Sequence, residues 1–361
     1  MRIGFLIAHE ESPYAGTVRP FINWAKKLHR EGYEAYVYLL NCGENIQRYF
    51  KNLGEINYFS VESLDKLLML IKRSKVDVVL SDDLYVRLGY LNKIKTNLDV
   101  RTGVYVQILF GVHSIADVFD IGYLDSTEQL IYRFSRCLPF SLLKNYYVRL
   151  LRRQDIIIVN SFTTATFLQI LYGLDNDGVV YPPVDMTIFK PYSNKTKNSI
   201  LVYLGSRAGD TNLSLVYKIF RVLKSKNFKI FTLGNKKLSS IFVEKFGSSH
   251  LNDISDQELA KVYSMVSFTI CPQKWETFGY VAAESIACGT PVIVFNVMGL
   301  GEIVREYGYG ILVNNERYLI EVLLDIDKYE EIFQFTPYSK ELKYSLDQSY
   351  AMLLKILLKS I

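Results

Sequence analysis

Short apolar runs alternate with longer segments whose apolar positions recur at helical spacing, from one end of the chain to the other. RIGFLIA (2–8) reads as a first buried strand. VRPFINWAKKLHREG follows as an amphipathic helix with Trp24 and Leu28 on one face and Gly32 as its stop. EAYVYLL reads as a second strand. INYFSV with SLDKLLMLIKRS, and VDVVLSDD with LYVRLGYLNKI, are two further strand–helix pairs. VRTGVYVQILF, a helical region from about Ser126 to Arg153, DIIIVNS and FTTATFLQILYG complete the first half. Strand and helix in this rhythm predict a parallel sheet with helices on both faces.

The rhythm breaks at VVYPPVDMTIFKP. Pro182, Pro183 and Pro191 preclude a regular helix there and predict a linker. A second alternating set then begins: SILVYLG, LSLVYKIFRVLKS, FKIFTLG, a helix near Ser239 to Phe246, DQELAKVYSMV and SFTICP. The chain closes on ELKYSLDQSYAMLLKILLKS, an amphipathic helix with no strand after it. The expected architecture is α/β, two Rossmann-like doubly wound domains: 1–185, then 186–340, with a helix at 341–361 crossing back to the first. Open parallel sheets take ligands at the carboxyl ends of their strands, so a cleft faced by both domains is the expected site.

Composition narrows the class. With 361 residues, 49% hydrophobic and 22% charged, the chain is long and apolar enough to fold into two domains with a core each. The 27 Tyr and 21 Phe are spread throughout and mark no binding surface. No apolar run reaches the roughly 18 residues of a membrane span, and MRIGFLIAHEES turns acidic too soon for a signal peptide. Four unpaired cysteines and four histidines predict neither disulfides nor a metal centre, and a cytoplasmic setting. The net charge of +5 is too small to argue for nucleic acid. Arg133, Arg136, Lys144, Arg149, Arg152 and Arg153, mixed with Phe, Leu and Tyr, leave two readings open: a surface helix packed on the sheet, or peripheral contact with an anionic membrane.

The densest chemistry lies from Cys271 to Leu312, opening CPQKWETFGYVAAESIACGTPVIVFN. An Ala-rich helical segment ends at Gly289-Thr290-Pro291, and Val-Ile-Val-Phe suits a buried parallel strand. Glu276 and Glu284 bracket the helix start. If both sat on that helix, eight positions would turn through about 800°, leaving them roughly 80° apart and able to face one ligand.

PQKWETFGYVAAESIACGTPVIV, with GLGEIVREYGYGILV after it and DISDQELAKVYSMV before it, resembles the nucleotide-sugar signature of retaining glycosyltransferases of the two-Rossmann (GT-B) fold, family 4 in particular. DIIIVNSFTTATFLQILYG and VVYPPVDMTIFKP are similar to the end of that family's acceptor domain and its linker. The likeness covers the chain from about Asp155 to Val313. It implies a sugar transferase acting on a nucleoside-diphosphate sugar, UDP- or GDP-linked, with a sugar, lipid-linked or protein-linked acceptor in glycan or glycoconjugate synthesis. It implies no cofactor besides that donor as substrate. Glu284 is then expected on the ribose hydroxyls, two donors for the two oxygens of a carboxylate. Glu276 is expected beside the donor sugar as a catalytic residue. Phe278, Gly279 and Tyr280 would offer backbone N–H groups to the diphosphate, Gly279 permitting close approach.

The remaining implied contacts are Arg207 and Lys274 on the phosphates, Gly16 in the loop after strand one, and His113 near the sugar as a second catalytic residue. The family's Lys after the Arg is absent: Asp210, Thr211 and Asn212 stand there in LGSRAGDTNLSL. That departure keeps open a non-catalytic subunit of the same fold; a nucleotide-sugar epimerase on the same scaffold is the other alternative. Asp82 and Asp83, ending a strand, are read as contacts to acceptor hydroxyls or as caps of the next helix.

Overall fold

The structure is a computed structural model of the chain. It describes all residues apart from 113–128, 131–132, 134–136, 138, 193–194, 197, 207–210, 253, 274, 330–341 and 360–361. The chain divides into two compact units, Met1–Gly111 with Phe140–Pro183 and Lys343–Ile361, and Val112–Pro139 with Val184–Leu342.

In the first unit, seven parallel strands are present among the described residues: β1 (Arg2–Ala8), β2 (Glu34–Leu40), β3 (Asn57–Val61), β4 (Val78–Asp82), β5 (Arg101–Val106), β6 (Ile156–Val159) and β7 (Gly178–Val179). Their order is β3-β2-β1-β4-β5-β6-β7. The chain therefore builds outward from β1 to β3, then returns to build the other way from β4. The strands flanking this reversal, β1 and β4, are buried almost end to end, as unbroken apolar runs require.

Helix Arg19–Arg30 carries a proline in its first turn and turns Pro20, Phe21, Ile22, Trp24, Ala25 and Leu28 inward. Trp24 meets Tyr105 edge-on at 4.9 Å between ring centres. The final helix, Leu346–Lys359, adds Leu353, Ile356 and Leu357 to the same core. Its Ser349 accepts from the buried Trp24 indole at 2.9 Å and donates to the Tyr181 carbonyl at 2.6 Å.

The second unit has a six-stranded parallel sheet among the described residues: β8 (Ser199–Tyr203), β9 (Lys229–Leu233), β10 (Ser249–His250), β11 (Phe268–Cys271), β12 (Val292–Phe295) and β13 (Gly310–Val313). The order β10-β9-β8-β11-β12-β13 again reverses once, here between β8 and β11. Helix Leu213–Ser225 and helix Lys236–Phe246 cover one face, with the tilted rings of Phe220 and Phe242 4.4 Å apart between centres within the core. Helix Asp256–Met265 begins with a reciprocal capping box between Ser255 and Glu258.

Among the described residues, the hydrophobic pattern misses three helices, Glu44–Leu53, Gly301–Tyr307 and Glu316–Leu324. The first buries only Ile46 and Phe50, a stripe too thin to stand out from ENIQRYFKNL. Of the helical region expected from Ser126 to Arg153, the structure gives helix Phe140–Leu151, and most of what precedes it lies outside the described residues.

Candidate functional site

In open α/β sheets, the place where strand order reverses leaves a crevice at the strands' carboxyl ends, because successive connections run to opposite sides. In the second unit this place is walled by the segments leaving β8 and β11. Gln273, 2% exposed, spans them: its Nε2 donates to the Tyr203 carbonyl at 3.0 Å and to Thr211 Oγ1 at 2.9 Å. Among the described residues its Oε1 is buried without a partner.

From Gln273 the chain passes Glu276, Thr277 and Phe278 and enters helix Tyr280–Ala287 through Gly279. Gly279 sits at φ +103°, a conformation that side-chain-bearing residues avoid, and a Cβ there would lie 2.8 Å from Met298 Sδ. Gly299, in the segment after β12, is tighter still, since its Cβ would meet the Thr277 carbonyl oxygen at 2.0 Å. The two segments are stitched together by Gly299 N–H to the Glu276 carbonyl at 3.0 Å and Leu300 N–H to the Phe278 carbonyl at 2.7 Å. Two glycines thus let backbone press on backbone and fix the path by which the chain enters the helix.

This path corrects the helical arithmetic. The helix starts at Tyr280, so Glu276 lies four residues ahead of it, in the loop, and the expected angle between the carboxylates has no meaning. Burial first, then the charges of Glu276 and Glu284, push the Cys271 thiol well above its usual range.

Glu284 is 2% exposed, on a helix whose Ala282, Ala283, Ser285, Ile286 and Ala287 are also buried. Its Oε2 accepts from the Tyr263 hydroxyl at 3.1 Å. Tyr263 belongs to helix Asp256–Met265 and is completely buried. Burial and the facing Glu284 carboxylate raise the phenol well above its ordinary pKa, so Tyr263 stays a donor. Nothing in the spacing of the motif announces this partner. The signal is three-dimensional, the packing of two helices.

Arg207, Lys274 and His113, expected at the phosphates and the sugar, lie outside the described residues, as does Asp210. Gly16 sits in an exposed turn, and its φ is outside the left-handed region, so the backbone does not demand glycine there. All four cysteines are free thiols. Among the described residues, no three His, Cys, Asp or Glu side chains gather where they could hold a metal ion. The chain contains two Asp-x-Asp triplets, Asp175 to Asp177 and Asp325 to Asp327, and three of these carboxylates have partners of their own. Asp177 accepts from Ile157 N–H at 2.7 Å, while Asp325 and Asp327 pair with Lys328 and Lys226.

The reversal point of the first unit is built differently. Arg87, 2% exposed, donates to the Ala8 carbonyl at 2.8 Å, to Glu10 at 3.1 Å and to Asp82. Burial lifts Asp82 to about 6, against the pull of Arg87, which still leaves it ionised at neutral pH. Asp83, completely buried, accepts from the N–H groups of Gln107, Ile108 and Leu109 and from the Tyr147 hydroxyl. Neither aspartate is available to an acceptor hydroxyl. Asp82 holds the N–H of Leu84 ahead of the next helix, and Asp83 holds the segment after β5. The pattern analysis missed Arg87 and Glu10, although two adjacent aspartates at the end of a buried strand require a buried cation nearby.

Residues 185–332 match the family model described as glycosyl transferases group 1. An uncharacterized glycosyltransferase of Methanocaldococcus jannaschii is 39% identical over 113 residues, 29% of this chain and 32% of that protein. A D-inositol 3-phosphate glycosyltransferase of Rhodococcus opacus is 26% identical over 190 residues, 45% of this chain and 43% of the relative. The chain thus spans less than half the length of these relatives. Among solved structures, the Anabaena protein HepE in complex with UDP superposes with a TM-score of 0.73 over 99% of this chain and 100% of the other, at 14% identity. Both sheets therefore have the GT-B fold, and residues 185–332, which carry the loop–helix site of the second unit, match the glycosyl transferases group 1 model.

Proposed function

We propose that the chain is a retaining glycosyltransferase that moves a hexosyl group from a UDP- or GDP-linked sugar to an acceptor hydroxyl in glycan or glycoconjugate synthesis. The observation that carries this reading is the glycine-shaped entry into helix Tyr280–Ala287 at the reversal point of the second sheet, within the segment that matches the family. A helix start at such a place favours a diphosphate, through its N–H groups and its dipole.

In this reading Phe278, Gly279 and Tyr280 face the diphosphate, Glu284 takes the ribose hydroxyls, and Glu276 and His113 stand by the sugar. Arg207 and Lys274 supply positive charge to the leaving group. The bond from the anomeric carbon to the diphosphate oxygen breaks as the acceptor oxygen bonds to that carbon. The acceptor's proton leaves with the diphosphate or a neighbouring base. Fixed positive groups serve the leaving diphosphate in place of a metal ion. The first unit takes the acceptor. Peripheral membrane contact is part of the same reading, supported by the exposed Leu142, Tyr146 and Arg149 on helix Phe140–Leu151.

The first test is thermal stabilisation by UDP, GDP and their sugar conjugates, followed by transfer or hydrolysis assays with the donors that stabilise. The wild-type chain should respond to one base by several degrees at saturating ligand. Glu284→Gln should lose most of the response while remaining folded. If no donor stabilises the chain, the proposed activity fails.

A further inference from the structure

The geometry assigns Tyr263 as a positioning residue for Glu284, setting the carboxylate's orientation and through it the discrimination between ribose and deoxyribose. This assignment rests on Glu284 being the ribose ligand, as proposed above.

A carboxylate taken out of water needs donors wherever it sits, and its two oxygens swing freely about the last torsion unless something holds them. Tyr263 supplies the hold. It has one proton to give, its surroundings are completely buried, and the Glu284 Oε2 atom lies 3.1 Å away. A carboxylate oxygen accepts more than one hydrogen bond, so the contact leaves Glu284 able to receive sugar hydroxyls while fixing where its oxygens point.

Tyr263 is itself pinned. Its carbonyl accepts from the buried Thr290 hydroxyl, and that hydroxyl in turn accepts from the Lys195 amine. Its ring lies against Phe189, with ring centres 6.3 Å apart. Ser285, next to Glu284, donates to the Thr290 carbonyl at 3.1 Å and shares a hydrogen bond with the Thr269 hydroxyl at 2.8 Å. The phenol and the carboxylate are therefore set by two helices tied to the same Thr290, so their mutual distance is fixed by the framework.

The test measures dissociation constants of UDP and GDP and of their 2′-deoxy counterparts. For the base that binds, the wild-type chain should prefer the ribonucleotide by about tenfold, the worth of a hydrogen bond to a charged group. Glu284→Gln should erase most of that preference. Tyr263→Phe should shrink it by about threefold or more, with its circular dichroism unchanged. A purely structural tyrosine would weaken both nucleotides alike. An intact preference in Tyr263→Phe, alongside its loss in Glu284→Gln, overturns the assignment and spares the ribose reading. An intact preference in Glu284→Gln, or binding of neither nucleotide by the folded chain, sinks both.

Tyr263→Phe leaves a buried carboxylate short of a donor and so threatens stability. The double variant Tyr263→Phe/Glu284→Gln removes the charge as well and is read beside it. Acting through Glu284 alone, the tyrosine change should take nothing further from the affinity of Glu284→Gln for the nucleoside diphosphate that binds. A further loss of threefold or more in the double variant contradicts the assignment.

Discussion

Each sheet reverses its strand order once, and the two reversal points are filled in opposite ways. Between β1 and β4, Arg87 reaches Glu10, Asp82 and the Ala8 carbonyl, and Asp83 gathers three N–H groups and a phenol. Charge there is neutralised by the chain itself. Between β8 and β11, by contrast, the chain contributes backbone: Gly279 and Gly299 bring two segments together at a helix start, and an amide, Gln273, spans the strand ends. A shared topology provides the crevice. The side chains decide whether it is closed by internal ion pairs or lined by close-packed backbone at a helix start.

The comparison breaks most visibly at Arg87. Removing it leaves Asp82 and Glu10 facing each other in a buried site, so Arg87→Met should destabilise the chain by about 3–5 kcal/mol, the usual consequence of stranding half of a buried ion pair. Denaturant melts followed by tryptophan fluorescence in a Trp275→Phe background report the first unit, since Trp24 lies in its core and Trp275 belongs to the second. A loss below about 1 kcal/mol would show that the cluster is solvated and not the internal plug described above.

At the other reversal point, the expected effect falls on binding more than on stability. Gly299→Ala puts a methyl 2.0 Å from the Thr277 carbonyl oxygen, so the stitched segments must part and the helix entry must move. Nucleotide stabilisation should vanish, while the melting free energy falls by about 1–3 kcal/mol, typical of overpacking. Equal loss of binding in Arg87→Met, at temperatures where that variant is folded, would erase the contrast between the two points.

Much of this frame was legible in the chain. EAYVYLL and VIVF coincide with β2 and β12, and DQELAKVYSM coincides with helix Asp256–Met265, because buried parallel strands and capped helices write themselves as local pattern. The α/β alternation and the switch to a second set after Pro182-Pro183 were equally plain. The site was legible in part. Gly279 signalled a close approach, and Glu284 a carboxylate on the helix. Glu276 was misplaced because helical periodicity was carried backward across a residue whose φ of +103° ends it. Gly299, Arg87 and Tyr263 carry no local signal at all. Gly299 matters for a carbonyl 22 positions away, and Tyr263 for a carboxylate 21 positions away. Arg87 looks like any basic residue early in a helix until the buried aspartates claim it.

The smallest effect sharpens the comparison from a third kind of buried charge, an amine with no carboxylate partner among the described residues. Lys195 is half-buried with its amine on the Thr290 hydroxyl, and burial, opposed by Cys288, lowers its pKa from 10.5 to about 8. Between those values the unfolded chain binds the proton that the folded chain has lost, so stability rises with pH through that window. Arg87 behaves oppositely, because Asp82 and Glu10 hold its charge in place. Lys195→Met should therefore flatten the stability curve from about pH 8 to 10 relative to the wild-type chain, whereas Arg87→Met should leave that limb unchanged. Urea midpoints at half-unit pH steps decide it. Parallel curves for wild type and Lys195→Met would mean that the amine stays hydrated, and that a hydroxyl is enough to keep a lysine charged where a carboxylate is needed for the arginine.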